Sequence, residues 1–199
     1  GVQYLTEDVM KAMADFNSVA PAHNPPYIAA IRQFRELMPD TPLIGSFETA
    51  FHANMPPEAY LYPIPLELSR EHAIRRYGFH GISHSYVSQR CIELLGKPST
   101  SRIISCHMGN GSSFAAVKNG ECVDTTMGLT PLAGLIMGTR CGDIDGTIIE
   151  YLMDRYGYDI KEMMTILNKK SGVLGISGVS SDFRDLEAAE AEGNERAKL

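Results

Sequence analysis

The run from Arg102 to Thr126 reads R-I-I-S-C-H-M-G-N-G-S-S-F-A-A-V-K-N-G-E-C-V-D-T-T, and its reading decides the fold. Arg102–His107 is a β-branched, apolar strand, Ser112–Lys118 is a second strand, and Asn119-Gly120 is the strongest short hairpin signal there is. A third strand over Glu121–Thr126 completes three consecutive antiparallel strands. Downstream, helical patterns over 145–156, 159–169 and 182–191 give the order β-β-β then α. That is a mixed α/β layer architecture; a helical bundle or an all-β sandwich is excluded.

Upstream, residues 5–15 predict a helix. Asn24 before Pro25 and Pro26 predicts an N-cap with proline in the first turn, opening a helix that runs to about Leu37. Pro42–Glu48 predicts a short buried strand. Four prolines (Pro56, Pro57, Pro63, Pro65) make 52–68 irregular and mark a boundary between two units, 1–50 and 51–199. From Ser83 a helix runs to Leu95 and stops at Gly96, a C′ glycine.

The chain has 199 residues and carries 24 acidic against 18 basic side chains, a net charge of −6. A negative excess without a Lys/Arg face excludes a nucleic-acid scaffold. No apolar run reaches the 18 or so residues of a membrane span. The first residues lack the pattern of a signal peptide, and the missing initiator Met suggests a processed, tagged or truncated chain. Cys91, Cys106, Cys122 and Cys141 form no C-x-x-C pair, so reduced thiols in a cytosolic protein are expected.

Five stretches carry candidate chemistry. In His107–Ser113, Gly109 and Gly111 allow backbone N–H groups close to an anion, with Asn110, Ser112 and Ser113 as neutral donors; the same glycines also suit a tight turn alone. In Met137–Asp145, Arg140 on a glycine-flanked loop suits charge stabilisation of a transferring phosphoryl group, or a pairing with Asp143 or Asp145 at a helix start. In Arg75–His84, His80 and His84 are spaced i, i+4 without the glutamate of a zinc motif; His80 suits a phosphate donor, while His84 reads as capping or packing. His23 sits on a rigid turn beside Pro21 and Pro25, and a lone histidine there is usually structural. Glu48 ends the apolar strand at 42–48, a usual place for a catalytic carboxylate in α/β enzymes and also for a solvated one. No Ser-His-Asp pattern accompanies them. Together they describe a site that moves a phosphoryl group by positioning and electrostatics, helped by Mg²⁺.

Six ordered motifs, P-A-H-N-P (21–25), S-F-E-T-A-F-H (46–52), R-R-Y-G-F-H-G-I-S-H (75–84), C-H-M-G-N-G-S-S (106–113), T-P-L-A-G-L-I-M-G-T-R-C-G-D-I-D (130–145) and S-G-V-S-S-D-F-R-D (177–185), resemble the acetate kinase family. The resemblance implies the acetate and sugar kinase/Hsp70/actin (ribonuclease H-like) fold, incomplete here, and transfer of the γ-phosphoryl group of ATP to acetate. It implies that Arg140 stabilises the charge on the phosphoryl group in flight and that His80 hydrogen-bonds it. His107, Gly109, Asn110 and Gly111 would hold the nucleotide phosphates. His23, Phe79 and Pro131 would line the carboxylate substrate's site. Glu48, where the family has Asp, would assist Mg²⁺ (or Mn²⁺), and its extra methylene alters its reach. Ala22, where the family has Leu, widens the pocket toward propionate or butyrate. Gly146 replaces a Pro without a readable consequence. An N-x-G-S-S loop, an upstream substrate arginine and a G-G-I-G-E-N motif are not in this sequence, so the chain resembles the family's central portion. The family implies a cytoplasmic homodimer acting on a small carboxylate and ATP, with pyrophosphate as an alternative donor. A second reading is a non-catalytic fragment that binds phosphate or nucleotide only with its missing parts. A sugar kinase or Hsp70-like ATPase is a third; His23, His80 and Arg140 argue against it.

Overall fold

The computed structural model of the chain describes residues 1–17, 23–96 and 100–199. In chain order these form β1 (Val2–Tyr4), α1 (Glu7–Asp15), α2 (Asn24–Leu37), β2 (Ile44–Ser46), a 3-10 helix (Glu48–His52), α3 (Pro57–Tyr60), α4 (Leu66–Glu71) and α5 (Gly81–Leu95). There follow β3 (Arg102–Met108), β4 (Ser112–Lys118), β5 (Glu121–Thr125), α6 (Thr147–Tyr156), α7 (Ile160–Lys169), α8 (Gly172–Ser177), α9 (Phe183–Ala191) and α10 (Glu195–Lys198).

The three expected strands form one antiparallel sheet in the order β3-β4-β5, with Met108 opposite Ser112 and Lys118 opposite Glu121. Asn119 (φ 55) and Gly120 (φ 88) make the hairpin turn, both in the left-handed region that the tight primed turn demands. Ala115, Val117 and Cys122 of this sheet bury with Met55, and Phe51, Ala59, Tyr60 and Ile103 pack against them. On the opposite face of β3, Ile104 and Met108 are exposed. α5 and the 3-10 helix pack on the sheet from the core side.

Three expectations are corrected. Asn24 does not cap α2: its side-chain amide donates to the Met13 and Phe16 carbonyls at the end of α1. The apolar run 42–48 contains only a three-residue strand, paired with β1 as a separate two-stranded ribbon and largely exposed. A strand so short buries little by itself; its apolar side chains have no second layer among the described residues. Glu48 accordingly opens the 3-10 helix rather than ending a strand. The widening read at Ala22 lies outside the described residues.

Arg76 anchors the segment that leads into α5. Its guanidinium donates to the carbonyls of Ala59 (3.2 Å), Thr125 (3.0 Å) and Thr126 (3.1 Å), while Arg75 stacks 4.1 Å over the Tyr60 ring. The exit of β5 and the approach to His80 are thereby tied to one side chain.

Candidate functional site

Four segments far apart in sequence meet at the β3–β4 turn. The first is the turn itself, Gly109-Asn110-Gly111. The Gly109 amide is taken by the Gly111 carbonyl (3.1 Å), a closure that tightens the loop. The second is the start of α5. His80 precedes it in the left-handed conformation (φ 59, ψ 22), which a histidine adopts at a cost of about 1–3 kcal/mol and which marks functional positions when the surroundings enforce it. Gly81 follows because its Cα lies directly against the Glu48 carbonyl, where a Cβ has no room. The His80 side chain makes no capping hydrogen bond to this helix.

The third segment is the loop 137–140. Its carbonyls serve as the N-terminal cap of α8: Ser171, Val173 and Leu174 donate to Thr139 (3.0 Å), Met137 (2.9 Å) and Gly138 (3.0 Å). The loop is fixed from the other side by Cys141 N–H to the Leu167 carbonyl (3.0 Å) and by the Thr139 hydroxyl to the Asn168 carbonyl (2.9 Å). Arg140 thus leaves a rigid backbone. Its guanidinium donates to the Pro131 carbonyl (3.0 Å) and touches Met137 Sδ (3.6 Å). The pairing with Asp143 or Asp145 left open by the sequence is not made. Asp143 accepts from the Gly134 amide, and Asp145 from the Thr147 amide and hydroxyl at the start of α6. Among the described residues no carboxylate neutralises Arg140.

Gly111 joins these parts. A Cβ at this glycine would stand 3.2 Å from Arg140 Nη1 and 3.3 Å from His80 Nε2, so the guanidinium and the imidazole face the same bare patch of backbone. A Cβ at Gly138 would stand 2.8 Å from Asn110 Oδ1 and 3.1 Å from the Ser181 carbonyl, which brings in the fourth segment, 177–185. His107 stacks on His80 (centroids 4.0 Å apart, 21° between planes) and is hydrogen-bonded through Nδ1 to Ser83 Oγ (2.9 Å).

Ser112 and Ser113 do not point at this patch. Ser113 is fully buried and its hydroxyl lies 2.8 Å from both His80 Nδ1 and His84 Nε2; Ser112 Oγ donates to the Gly109 carbonyl. Their reading as anion donors is replaced by one in which they build the site from behind. Phe79 contributes its carbonyl to His52 Nε2 (3.0 Å), and Pro131 contributes its carbonyl to Arg140. His23 is exposed and set edge-on to Tyr27 (6.1 Å); among the described residues it makes no hydrogen bond or ring contact with the cluster. Glu48 touches the cluster through its backbone at Gly81, and its carboxylate has no hydrogen-bond partner among the described residues. Sequence reasoning passed over Ser83, Ser105 and Gly172; nothing in local spacing marks them, because each acts on a residue brought near by the tertiary fold.

Burial holds His80 and His84 at a pKa of about 4, with the neighbouring imidazoles adding to the effect in both and Arg140 adding to it in His80. His52 is lowered by burial as well, against the opposing pull of the Phe79 carbonyl. All three are therefore neutral at pH 7. As pH falls from 6.5 toward 4, the unfolded chain binds protons that folded His80 and His84 refuse, so stability declines over that window and is complete above it. The expected outcome of an NMR titration of labelled imidazoles is a midpoint near 4 for both rings; midpoints near 6.5 would contradict the burial described.

Comparison with known proteins gives the class first. The chain superposes on a propionate kinase from Francisella tularensis (TM-score 0.95, 42% identity, all of this chain and 51% of that one) and on Porphyromonas gingivalis acetate kinase (TM-score 0.90, 44% identity, all of this chain and 50% of that one). Its fold is therefore the acetate and sugar kinase/Hsp70/actin α/β fold, incomplete because about half of those chains has no counterpart here. Residues 2–199 match the acetokinase family, and the chain belongs to it. It is 57% identical to the acetate kinase of Helicobacter hepaticus over 196 residues and 58% identical to that of Thermoanaerobacterium thermosaccharolyticum over 197. In both cases 98% of this chain is covered, and it spans 49% of the relative's length.

Proposed function

We propose that this chain supplies the central portion of an acetate kinase, which transfers the γ-phosphoryl group of ATP reversibly to acetate to give acetyl phosphate and ADP. The observation that carries it is the convergence of the unneutralised Arg140 guanidinium and the neutral His80 ring on the side-chain-free backbone at Gly111. A phosphoryl group in transit spreads negative charge over its oxygens, and donors held in place before it arrives stabilise that charge without reorganising.

In this reading Arg140 faces the transferring group, and the neutral His80 donates a hydrogen bond without bringing a second charge. The turn Gly109-Asn110-Gly111 with His107 lies along the nucleotide phosphates. Phe79 and Pro131 border the acyl group, and His23 belongs to the substrate site that the rest of the protein completes. Mg²⁺ requires only one or two protein carboxylates when phosphates supply the other ligands. The described residues contain no cluster of three metal-ligating side chains, but the Glu48 carboxylate, which has no hydrogen-bond partner among them, fits that smaller demand. When bound, the ion would offset phosphate charge. The division into 1–50 and 51–199 is supported by the separation of the β1-β2 ribbon from the β3-β4-β5 sheet. A cytoplasmic location and a homodimeric assembly rest on the family resemblance alone.

The test is to incubate the complete kinase containing this chain with ATP, Mg²⁺ and acetate, propionate or butyrate, and to trap acyl phosphate with hydroxylamine. Hydroxamate formed with acetate in preference to the longer acids is the expected result. Absence of product with all three would sink the reading.

A further inference from the structure

Behind the site lies a line of buried polar groups whose hydrogen bonds admit one arrangement of protons. His84 is fully buried and both its ring nitrogens are engaged: Nδ1 lies 2.9 Å from Ser105 Oγ and Nε2 lies 2.8 Å from Ser113 Oγ. Ser113, also fully buried, lies 2.8 Å from His80 Nδ1. Beyond it, His80 Nε2 faces the patch at Gly111 beside Arg140. Ser105 is 3% exposed, and its hydroxyl has no partner but His84 among the described residues.

We propose that the chain Ser105–His84–Ser113 fixes the tautomer of His80, placing its ring proton on Nε2 so that it presents an N–H donor to a bound phosphoryl group. This rests on the kinase reading for the identity of that anion. A hydroxyl has one proton to donate, and a neutral imidazole has one N–H and one lone pair. Suppose His84 carried its proton on Nδ1. It would donate to Ser105, whose own O–H would then be buried without an acceptor. Ser113 would have to donate back to His84, and His80 would have to donate from Nδ1, turning a lone pair toward the incoming anion. Suppose instead that both rings donated to Ser113: its O–H would be the orphan. Only one arrangement satisfies every buried proton. Ser105 donates to His84 Nδ1, His84 Nε2–H donates to Ser113, and Ser113 donates to His80 Nδ1. The proton of His80 then sits on Nε2. Ser105, His84 and Ser113 are positioning residues: they do not touch the reacting group but set which face of the His80 ring is a donor.

The experiment is nitrogen-15 NMR of histidine-labelled complete kinase, wild type and Ser113→Ala, in which the two ring nitrogens of His80 report its tautomer. The wild type is expected to hold the proton on Nε2. In Ser113→Ala, whose side chain loses only the hydroxyl, His80 is expected to become a mixture of tautomers. Its kcat should fall about tenfold to a hundredfold, with KM for acetate little changed. A wild-type His80 protonated on Nδ1 overturns the proposal, and so does an unaltered Nε2 proton in a folded Ser113→Ala. Because the tautomer is read without turnover, a wild-type protein that formed no acyl phosphate would remove the kinase reading and leave this result standing.

Discussion

Replacing Arg140 by alanine in the complete kinase is expected to lower kcat by about a hundredfold to a thousandfold, roughly 3 kcal/mol of transition-state stabilisation, while leaving KM for acetate nearly unchanged. The guanidinium is held by a neutral carbonyl and a thioether and by no carboxylate among the described residues, so its charge is available to a reacting phosphoryl group. The backbone around it is fixed independently of the side chain, by the amides of Ser171, Val173 and Leu174 and by the contacts of Thr139 and Cys141 with the end of α7. Truncation should therefore remove charge without unfolding the loop, and circular dichroism should be unaltered. Lysine is not an adequate substitute, since one ammonium cannot both hold Pro131 and reach the site in the same planar geometry. Activity within threefold of wild type for Arg140→Ala would show that the residue does not face the reaction.

Gly172→Ala should be a damaging small change, costing about 3 kcal/mol of stability and a large part of the activity. Two effects add. Gly172 opens α8 at φ +65, a conformation that costs an L-residue with a Cβ about 1–2 kcal/mol. The added methyl would also meet the Met137 carbonyl and come within 2.9 Å of the Arg140 carbonyl, both backbone atoms that cannot swing aside, and overpacking of this kind costs about 1–3 kcal/mol. The strain falls on the loop whose position sets Arg140. Thermal unfolding together with kcat is the measurement: both should drop, and a variant with wild-type melting would show that the turn has slack.

What the sequence disclosed and what it withheld divide along the range of the interactions. The sheet was legible because its signals are local: the β-branched, apolar run Arg102–His107 and the Asn119-Gly120 dipeptide need no partner to be read. The C-terminal end of α5 at Gly96 and the bounds of α7 were legible for the same reason, whereas α5 starts at Gly81, two residues before the Ser83 expected. Pro42–Glu48 misled because burial of an apolar run depends on a second layer, and the described residues provide none. Asn24 has the residue type of a cap, yet its amide found better acceptors in the preceding helix. In the site, Arg140, His80 and the glycine turn could be named because an arginine or histidine beside glycines, and glycines two apart in a turn, carry their chemistry in the local sequence. Ser113 was named for the wrong direction, since whether a strand-end hydroxyl points out to a ligand or in to His84 is set by the pleat of β4 against α5. Gly172 gave no sign at all; only the proximity of a carbonyl from residue 137 gives it meaning.

The lone cation on the loop before α6 has a consequence for how an anion arrives. The chain as a whole carries −6, the same sign as a nucleotide, so at long range there is no net pull toward it. The field of Arg140 is felt within about one Debye length, near 8 Å at physiological ionic strength. On the proposed reading, a phosphate entering over Gly111 comes within that distance of the guanidinium and is drawn in. Discrimination by place of entry precedes any discrimination by shape.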